Sequence, residues 1–459
     1  MNLLVKEEKD VVKEYNPTCF CKESKDEIVK CLEEKVDYVY SFRDRFFENH
    51  DIKEAINKNA DVEKLMLEML SIFDKHESLA LQVNKARYNY LRGKLLNVMP
   101  KFNVVAESLL SKACKLDPKM LEAWNELGEC YWKNEELQKA KNCFEMAAKD
   151  EVKKNKIALR NLSMIARQEI CENAEERNKN IRLGLNYAKE AVRLDTHDGI
   201  SWSILGNAHL SSFFGIHQNP QTLKRCINAY SHAEKDVIAR STPDLHYNKG
   251  ITLKYEEEFL LALESFKRAS SYDPTWEPPK IKERQLLEYL REINDLVSTR
   301  GKMKAKRLQQ ILQSIDAKQL GPFGGGGYTS SGGKTVKLEE TLLNDLKTGL
   351  NEEKVVLGKV VCSIRNDDTV PFTFCLVDTN CTCVVVTIYN LASGKGVIIG
   401  DSVAIPEPFV TDVDFSYNDK KYKFRLIRVE NPLILVINSK KGTRELMAGV
   451  QMSLFKKFD

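Results

Sequence analysis

The chain has 459 residues, 42% of them hydrophobic and 30% charged, with a formal net charge of +4 at pH 7. That length suits two to three domains of roughly 100–200 residues each, and so small a net charge supplies no global field for nucleic acid. The N-terminal MNLLVKEEKD lacks the apolar core of a signal peptide, and nowhere is there an apolar run of about 18 residues, the length of a membrane span. A cytosolic protein with access to the nucleus is expected, with no membrane partner.

The first 80 residues read as an N-terminal helical cap. VDYVYSFRDRFFENH places Val39, Phe42 and Phe46 on one helical stripe. From 81 to 320 an internal repeat takes over. Its clearest unit is EAWNELGECYWKNEELQKAKNCFEMAAK, starting at Glu122. Trp124, Leu127, Gly128 and Tyr131 fall at positions 4, 7, 8 and 11, and Ala140, Phe144 and Ala147 at 20, 24 and 27, of the 34-residue helix–turn–helix tetratricopeptide unit. Gly128 and Ala140 are small enough for two helices to cross closely, and Trp124, Tyr131 and Phe144 fill the space between units. Ala106, Leu110 and Ala113 repeat the frame upstream, with Gly93 near position 8. Downstream come NKIALRNLSMIARQ with Leu162, then Trp202, Leu205 and Gly206 with Tyr230 and Ala233, then Gly250 with Ala262, Phe266 and Ala269. About five units are expected, forming a superhelical solenoid. Leu286, Leu290, Ile293 and Val297 recur at helical spacing and read as a C-terminal capping helix.

GPFGGGGYTSSGGK, residues 321–334, reads as a flexible linker. From 335 to 459 the pattern is β: VVLGKVVCSI, PFTFCLVD, TCVVVTIYNL, DSVAIPEP, KYKFRLIRVE and PLILVIN are separated by turn residues. Five or six such strands suit a small closed or half-open β-barrel of the oligonucleotide/oligosaccharide-binding (OB) fold. Phe372, Phe374, Tyr389 and Tyr422, near Lys420, Lys421 and Lys423, are candidates for stacking on bases, or else core residues. The fold class is therefore mainly α, a repeat solenoid followed by a small OB-fold domain.

Phosphate-binding, zinc-protease and serine-hydrolase signatures are all missing, so no enzyme and no cofactor is expected. The twelve cysteines include two CxC pairs, Cys19/Cys21 and Cys381/Cys383, without a second pair at zinc spacing. They read as free thiols packed as small hydrophobes. The solenoid's first helices place Asn125, Glu129, Trp132, Lys133, Ser163, Arg167, Ser203, Asn207, Ser211, Asp244, Tyr247, Lys254 and Tyr255 on the concave face. Arg167 offers a planar fork for a carboxylate and Asp244 an acceptor for a guanidinium, so a short peptide carrying both charges would suit the groove. The Lys/Asn clamp that binds chaperone C-termini is not reproduced. A second feature is RGKMKAKR, where Arg300, Lys302, Lys304, Lys306 and Arg307 crowd one helical start. Such a patch suits a phosphate backbone, a nuclear-localisation signal or plain solvation.

YSFRDRFFE, LLSKACKLDP, EAWNELGECYWK, NLSMIARQ, DTHDGISWSILGN, TPDLH, VPFTFCLVD and IGDSVAIPEP together resemble the tetratricopeptide repeat protein 5 (Strap) family, from Val36 to about Asn438. The resemblance implies a role in tubulin autoregulation: a ribosome-associated factor that binds the Met-Arg-Glu-Ile or Met-Arg-Glu-Cys start of nascent α- and β-tubulins and triggers decay of the translated messenger. It implies peptide contacts at Arg167 and Asp244, ribosome contacts at Lys304 and Lys306 on the large subunit near the exit tunnel, where ribosomal RNA lies, and an adaptor recruiting the deadenylase machinery. The family's acidic residue in a DPxWPEP turn is shifted here, where DPTWEPP places Glu277 one position earlier and Pro278 in its stead. The family is also linked to a histone acetyltransferase coactivator, so a nuclear transcriptional cofactor acting in the stress response is the alternative reading.

Overall fold

The computed structural model describes residues 25–149, 154–216, 218–325, 327–329, 333, 335–368 and 370–448. The described helices are α1 (Lys25–Asp44), α2 (Phe46–Asn49), α3 (Lys58–Val83), α4 (Lys85–Leu96), α5 (Val104–Leu116), α6 (Leu121–Lys133), α7 (Leu137–Ala148), α8 (Lys156–Gln168), α9 (Ala174–Leu194), α10 (Gly199–Gly215), α11 (Pro220–Ala233), α12 (Val237–Arg240), α13 (Pro243–Tyr255), α14 (Phe259–Tyr272), α15 (Glu277–Ser298) and α16 (Ala305–Gln313). They belong to two compact units. The first holds the described residues up to Cys171 with Leu183–Ile204 and Asp236–Ile238; the second holds Glu172–Arg182, Leu205–Lys235 and everything described from Ala239 onward.

Local chemistry starts the helices. Asn84, Asn103, Asn155 and Asn219 each accept backbone N–H bonds from the first turn of α4, α5, α8 and α11, satisfying donors that a helix start leaves open. Pro220 and Pro243 sit in the first turns of α11 and α13, where proline costs no hydrogen bond. In the first unit Val39 and Phe46 are buried, and Phe42 meets Phe46 edge to face at 5.7 Å. The expected aromatic stripe therefore exists, although the helix breaks at Arg45 between α1 and α2. The glycines at repeat position 8 explain themselves. A Cβ on Gly128 would lie 2.5 Å from the Phe144 ring, and one on Gly250 would lie 2.7 Å from Phe266.

The sheet of the second unit contains β1 (Gly349–Leu350), β2 (Lys354–Ile364), β3 (Phe372–Val377), β4 (Cys383–Ile388), β5 (Ser402–Pro406), β6 (Phe409–Tyr417), β7 (Lys420–Val429), β8 (Val436–Ile437) and β9 (Lys440–Lys441). Their order is β9-β8-β5-β2-β3-β4-β7-β6-β1, with Glu339–Glu340 also pairing β2. β4 and β7 run parallel, as do Glu339–Glu340 and β2; the other neighbours named are antiparallel. Among the described residues the pairing order is open, with no bond joining its two ends, which agrees with the half-open form of the closed or half-open barrel expected. Val356, Val360, Phe374, Leu376, Val384, Val386, Val403 and Ile427 form the sheet's own core.

The other face of the sheet corrects the expectation of a loosely tethered domain. Val361, Cys362, Ile364, Cys375, Val377, Val385, Tyr422, Phe424 and Leu426 share one core with Leu286, Leu290 and Ile293 of α15 and Phe259, Leu263 and Phe266 of α14. The capping helix is real, but the sheet covers it. The glycine-rich stretch is also partly built. Phe323 is buried with Leu320 against Val355, Leu357, Ala404 and Val436, and Gly327–Thr329 pairs with Thr335–Lys337.

Candidate functional site

In the first unit, α6 and α8 carry most of the expected groove residues, and several are less open than a solvated concave face requires. Asn125 is 6% exposed and its Oδ1 has no hydrogen-bond partner. Ser163 is fully buried, and its Oγ is likewise unpartnered. Glu129 is half-buried. Lys133 reaches the Asn97 carbonyl and, at 2.8 Å, Asn97 Oδ1; burial pulls its pKa below the ordinary lysine value, against the nearby Glu129 and Glu126 charges. Trp132 packs on the Ala140, Phe144, Leu162 and Ile165 core instead of lining a groove, because a tryptophan at that helix edge gains more from apolar contact than from water.

Arg167 is half-buried on α8 and its Nε donates to the Ser163 carbonyl at 3.0 Å. That bond fixes the plane of the guanidinium. Gly184 on α9 makes room for it: a Cβ there would lie 2.9 Å from the Ser163 carbonyl oxygen and 3.1 Å from Arg167 Cγ. Around Lys133 and Asn97 in the same unit runs a polar network that the sequence reading missed. Tyr40 donates to Glu126 at 3.3 Å, Asn97 Nδ2 to Glu126 at 3.2 Å, and Lys94 lies over the Tyr40 ring at 4.8 Å. Burial, then the Glu129 charge, pushes the Glu126 carboxyl up to about 7.

In the second unit, Asp244 lies exposed in the first turn of α13, where a carboxylate is stabilised by the helix N-terminus. Surrounding protein, then Asp273, raises its pKa from the ordinary value. Tyr247, 7% exposed, packs on Trp276 at a ring distance of 4.9 Å. Glu277 is exposed at the start of α15 and pairs with Lys280 at 2.8 Å. Asn207 accepts from Tyr230 at 2.7 Å and Asn248 at 3.1 Å, and Ser211 donates to the Asn207 carbonyl. Ser203, in the first unit, is buried.

Lys254 and Tyr255 do not serve a groove. Lys254 and Lys282 both hold Asp368, in the loop between β2 and β3. Burial of Asp368 acts to raise its pKa, but the two lysines outweigh it and hold the carboxyl below the ordinary value. Tyr255 packs on Phe213, Phe214 and Tyr389. Next to it, Glu257 is 7% exposed and accepts from Thr387 at 2.8 Å and Tyr389 at 2.9 Å, with Arg428 at 3.6 Å. This junction, together with Tyr417 donating to Glu283 at 2.7 Å, is the polar part of the seam between the helices and the sheet. No local motif announced it.

The basic segment differs from the expected helical start. Arg300, Gly301 and Lys302 have φ of 51°, 71° and 54°, a left-handed turn that only a fixed seat stabilises in non-glycine residues. Arg300 Nε donates to the Cys381 carbonyl at 3.1 Å, and Lys302 pairs with Asp295 at 2.7 Å. The helix begins only at Ala305, with Lys304 as its N-cap residue. Lys304, Lys306 and Arg307 are exposed and make no ion pair among the described residues. The sheet aromatics are not a stacking platform either. Phe374, Tyr389 and Tyr422 are at most 2% exposed, and Phe372 is packed on the sheet core. Among the described residues no cluster of three or more histidine, cysteine, aspartate or glutamate side chains could hold a metal, and no helix is long and apolar enough to cross a membrane.

Residues 337–451 match the model of the tetratricopeptide repeat protein 5 OB fold domain. In an OB fold the face of strands 2 and 3 is the usual ligand surface; here β3 and β4 give part of that face to α15. Among solved structures, the chain resembles YrrB, described as a TPR protein with an unusual peptide-binding site, at 22% identity over 45% of this chain and 97% of that one, with a TM-score of 0.30. It also resembles a thermophilic TPR protein of Thermus thermophilus at 15% identity over 40% of this chain and 90% of that one, with a TM-score of 0.33. Tetratricopeptide repeat protein 5 of Homo sapiens is 44% identical over 90% of this chain and 93% of its own length, and that of Bos taurus is equally similar. A helical repeat region followed by an OB-fold domain, at that identity and coverage, makes the chain a member of the tetratricopeptide repeat protein 5 family.

Proposed function

We propose that the protein is a non-enzymatic, ribosome-associated receptor that binds the Met-Arg-Glu-Ile or Met-Arg-Glu-Cys start of nascent α- and β-tubulin and, through an adaptor and its deadenylase, triggers decay of the messenger being translated. The observation that carries this reading is the basic helix start. Lys304, Lys306 and Arg307 put positive charge at the N-terminus of α16, where it opposes the helix dipole at a cost of about 0.3–1 kcal/mol each. Exposed cations kept at an unfavourable place are supported by use against a polyanion, here ribosomal RNA near the exit tunnel. Arg167, its plane fixed by Ser163, takes the peptide's glutamate; Asp244 takes its arginine.

The test separates the two sites. A labelled Met-Arg-Glu-Ile peptide is titrated against wild type, Arg167→Ala and Asp244→Ala. A charge-assisted bond contributes roughly 1.5–3 kcal/mol, so each substitution weakens binding about tenfold or more. Lys304→Glu with Lys306→Glu leaves peptide affinity intact and abolishes ribosome co-sedimentation, whose wild-type level falls steeply with salt. Unchanged peptide affinity in Arg167→Ala and Asp244→Ala removes the groove from the mechanism, and wild-type co-sedimentation of the double variant removes the anchor.

A further inference from the structure

Three thiols meet in the sheet beneath the basic turn. Cys362 on β2 is the direct register partner of Cys375 on β3. Cys383 on β4 pairs with Val377, and Val385 with Cys375, so Cys383 is diagonal to Cys375 on the same face. The Cys375 thiol interacts with both of the others. All three are free thiols, with Cys375 buried, Cys362 7% exposed and Cys383 half-buried. Gly301, in the left-handed turn, rests directly on this group: a Cβ there would lie 3.0 Å from Cys362 Cβ and 3.2 Å from its Sγ. The next strand connection holds the same turn, through Arg300 and the Cys381 carbonyl.

We propose that Cys362 and Cys375 form a dithiol that hydrogen peroxide converts to a disulfide, and that this modification loosens the seat of the Arg300–Arg307 segment. Residues directly opposite in an antiparallel pair have Cα atoms roughly 4.5–5.5 Å apart, inside the roughly 4.4–6.8 Å range of disulfides. The diagonal Cys375–Cys383 pair, at roughly 7–8 Å, lies outside it. The Cys362 thiolate attacks one peroxide oxygen, the O–O bond breaks, and Cys362 becomes a sulfenic acid as hydroxide leaves and takes up a proton to form water. Cys375 sulfur then attacks the Cys362 sulfur, the S–O bond breaks, and the hydroxyl leaves with the Cys375 proton as a second water. The two cysteines lose two electrons to peroxide, which is reduced to two waters. The interaction with Cys375 holds the Cys362 thiol below its ordinary pKa, which favours it as the attacking group. Bond formation draws the Cys362 sulfur toward β3, away from Gly301.

The full chain is treated with hydrogen peroxide, its remaining thiols are alkylated, and a tryptic digest is analysed by mass spectrometry. A bond joining Cys362, in VVCSIR, to Cys375 is expected, lighter by two hydrogens and reversed by dithiothreitol. On the folded protein, limited trypsin cleavage within 302–307 should accelerate severalfold after oxidation in wild type, and not in Cys375→Ala or Cys375→Val. A bond from Cys375 to Cys383, or no bond before the buried Cys114 and Cys143 oxidise, overturns the assignment of the pair. A Cys362–Cys375 bond with unchanged cleavage overturns the coupling to the turn. Both readouts are taken on wild type itself, so an unstable variant leaves the test intact.

Discussion

The helix pairs α6–α7 and α13–α14 have one local geometry and two different fates. Each has glycine at position 8 under a phenylalanine ring at position 24. Each turns between its helices on a glutamate at position 15 with positive φ, 60° at Glu135 and 64° at Glu257. Glu135 is exposed to water, whereas Glu257 is 7% exposed and bonded to Thr387 and Tyr389. Position 6 diverges too, a titrating Glu126 in one pair and a neutral Asn248 in the other. The repeat dictates the backbone; the neighbour decides whether the same carboxylate is a solvated turn residue or a structural joint.

Removing the neighbour is the most severe way to break this comparison. Deleting 335–459 strips the apolar cover from Leu286, Leu290 and Ile293, so α13 to α15 should lose cooperative melting and aggregate, while helical signal from α1 to α7 persists. Hydrogen exchange resolved along the chain checks this; protected α15 amides in the truncated protein would show that the helices need no cover.

Glu257→Ala against Glu135→Ala sharpens it. Removing one member of a buried pair costs about 3–5 kcal/mol, while an exposed site stays within about 0.5 kcal/mol. Burial outweighs Arg428 and the hydrogen bonds and leaves the Glu257 carboxyl above its ordinary pKa. Glu257→Gln, which keeps an acceptor for Thr387 and Tyr389, should therefore lose much less than the alanine variant. Urea denaturation of the three proteins gives the ranking.

The smallest effect is at position 6. An acid whose pKa is raised on folding binds its proton more tightly in the folded state, so its stabilising contribution is present at low pH and is lost as pH rises. For Glu126, raised from 4.5 to about 7, the loss falls between those two values. Stability of the first unit should weaken by up to roughly 3 kcal/mol across that window, at about 1.4 kcal/mol for each pH unit. Glu126→Gln should flatten the dependence; an unchanged slope in the variant would assign it to other groups.

What could be read from the sequence follows from what is local. Gly128 with Phe144, and Gly250 with Phe266, hold the same two positions of the 34-residue unit because each repeat packs on itself. Arg167, Asp244 and the cations of 300–307 stood out by charge alone. Lys254, Tyr255 and Glu257 were misread or missed because their partners lie far along the chain, Lys254 and Asp368 being 114 residues apart. A signal was nevertheless present. VVLGKVVCSI and TCVVVTI are continuous apolar runs, not alternating ones, and continuous runs mark strands covered on both faces. The left-handed turn at Arg300 and Lys302 had no such signal, since two long cationic side chains do not advertise positive φ.

The bond from Glu257 to Thr387 spans 130 residues, and that span is also a time. At synthesis rates of about 5–20 residues per second, roughly 7 to 26 s separate the emergence of the glutamate from that of its partner. Within that interval, from the emergence of Ser298 until that of the first sheet strands, α15 is present but its cover is not. The newborn chain therefore leaves the apolar side of α15 uncovered at first, and its last helices are secured only once the strands of the sheet have followed.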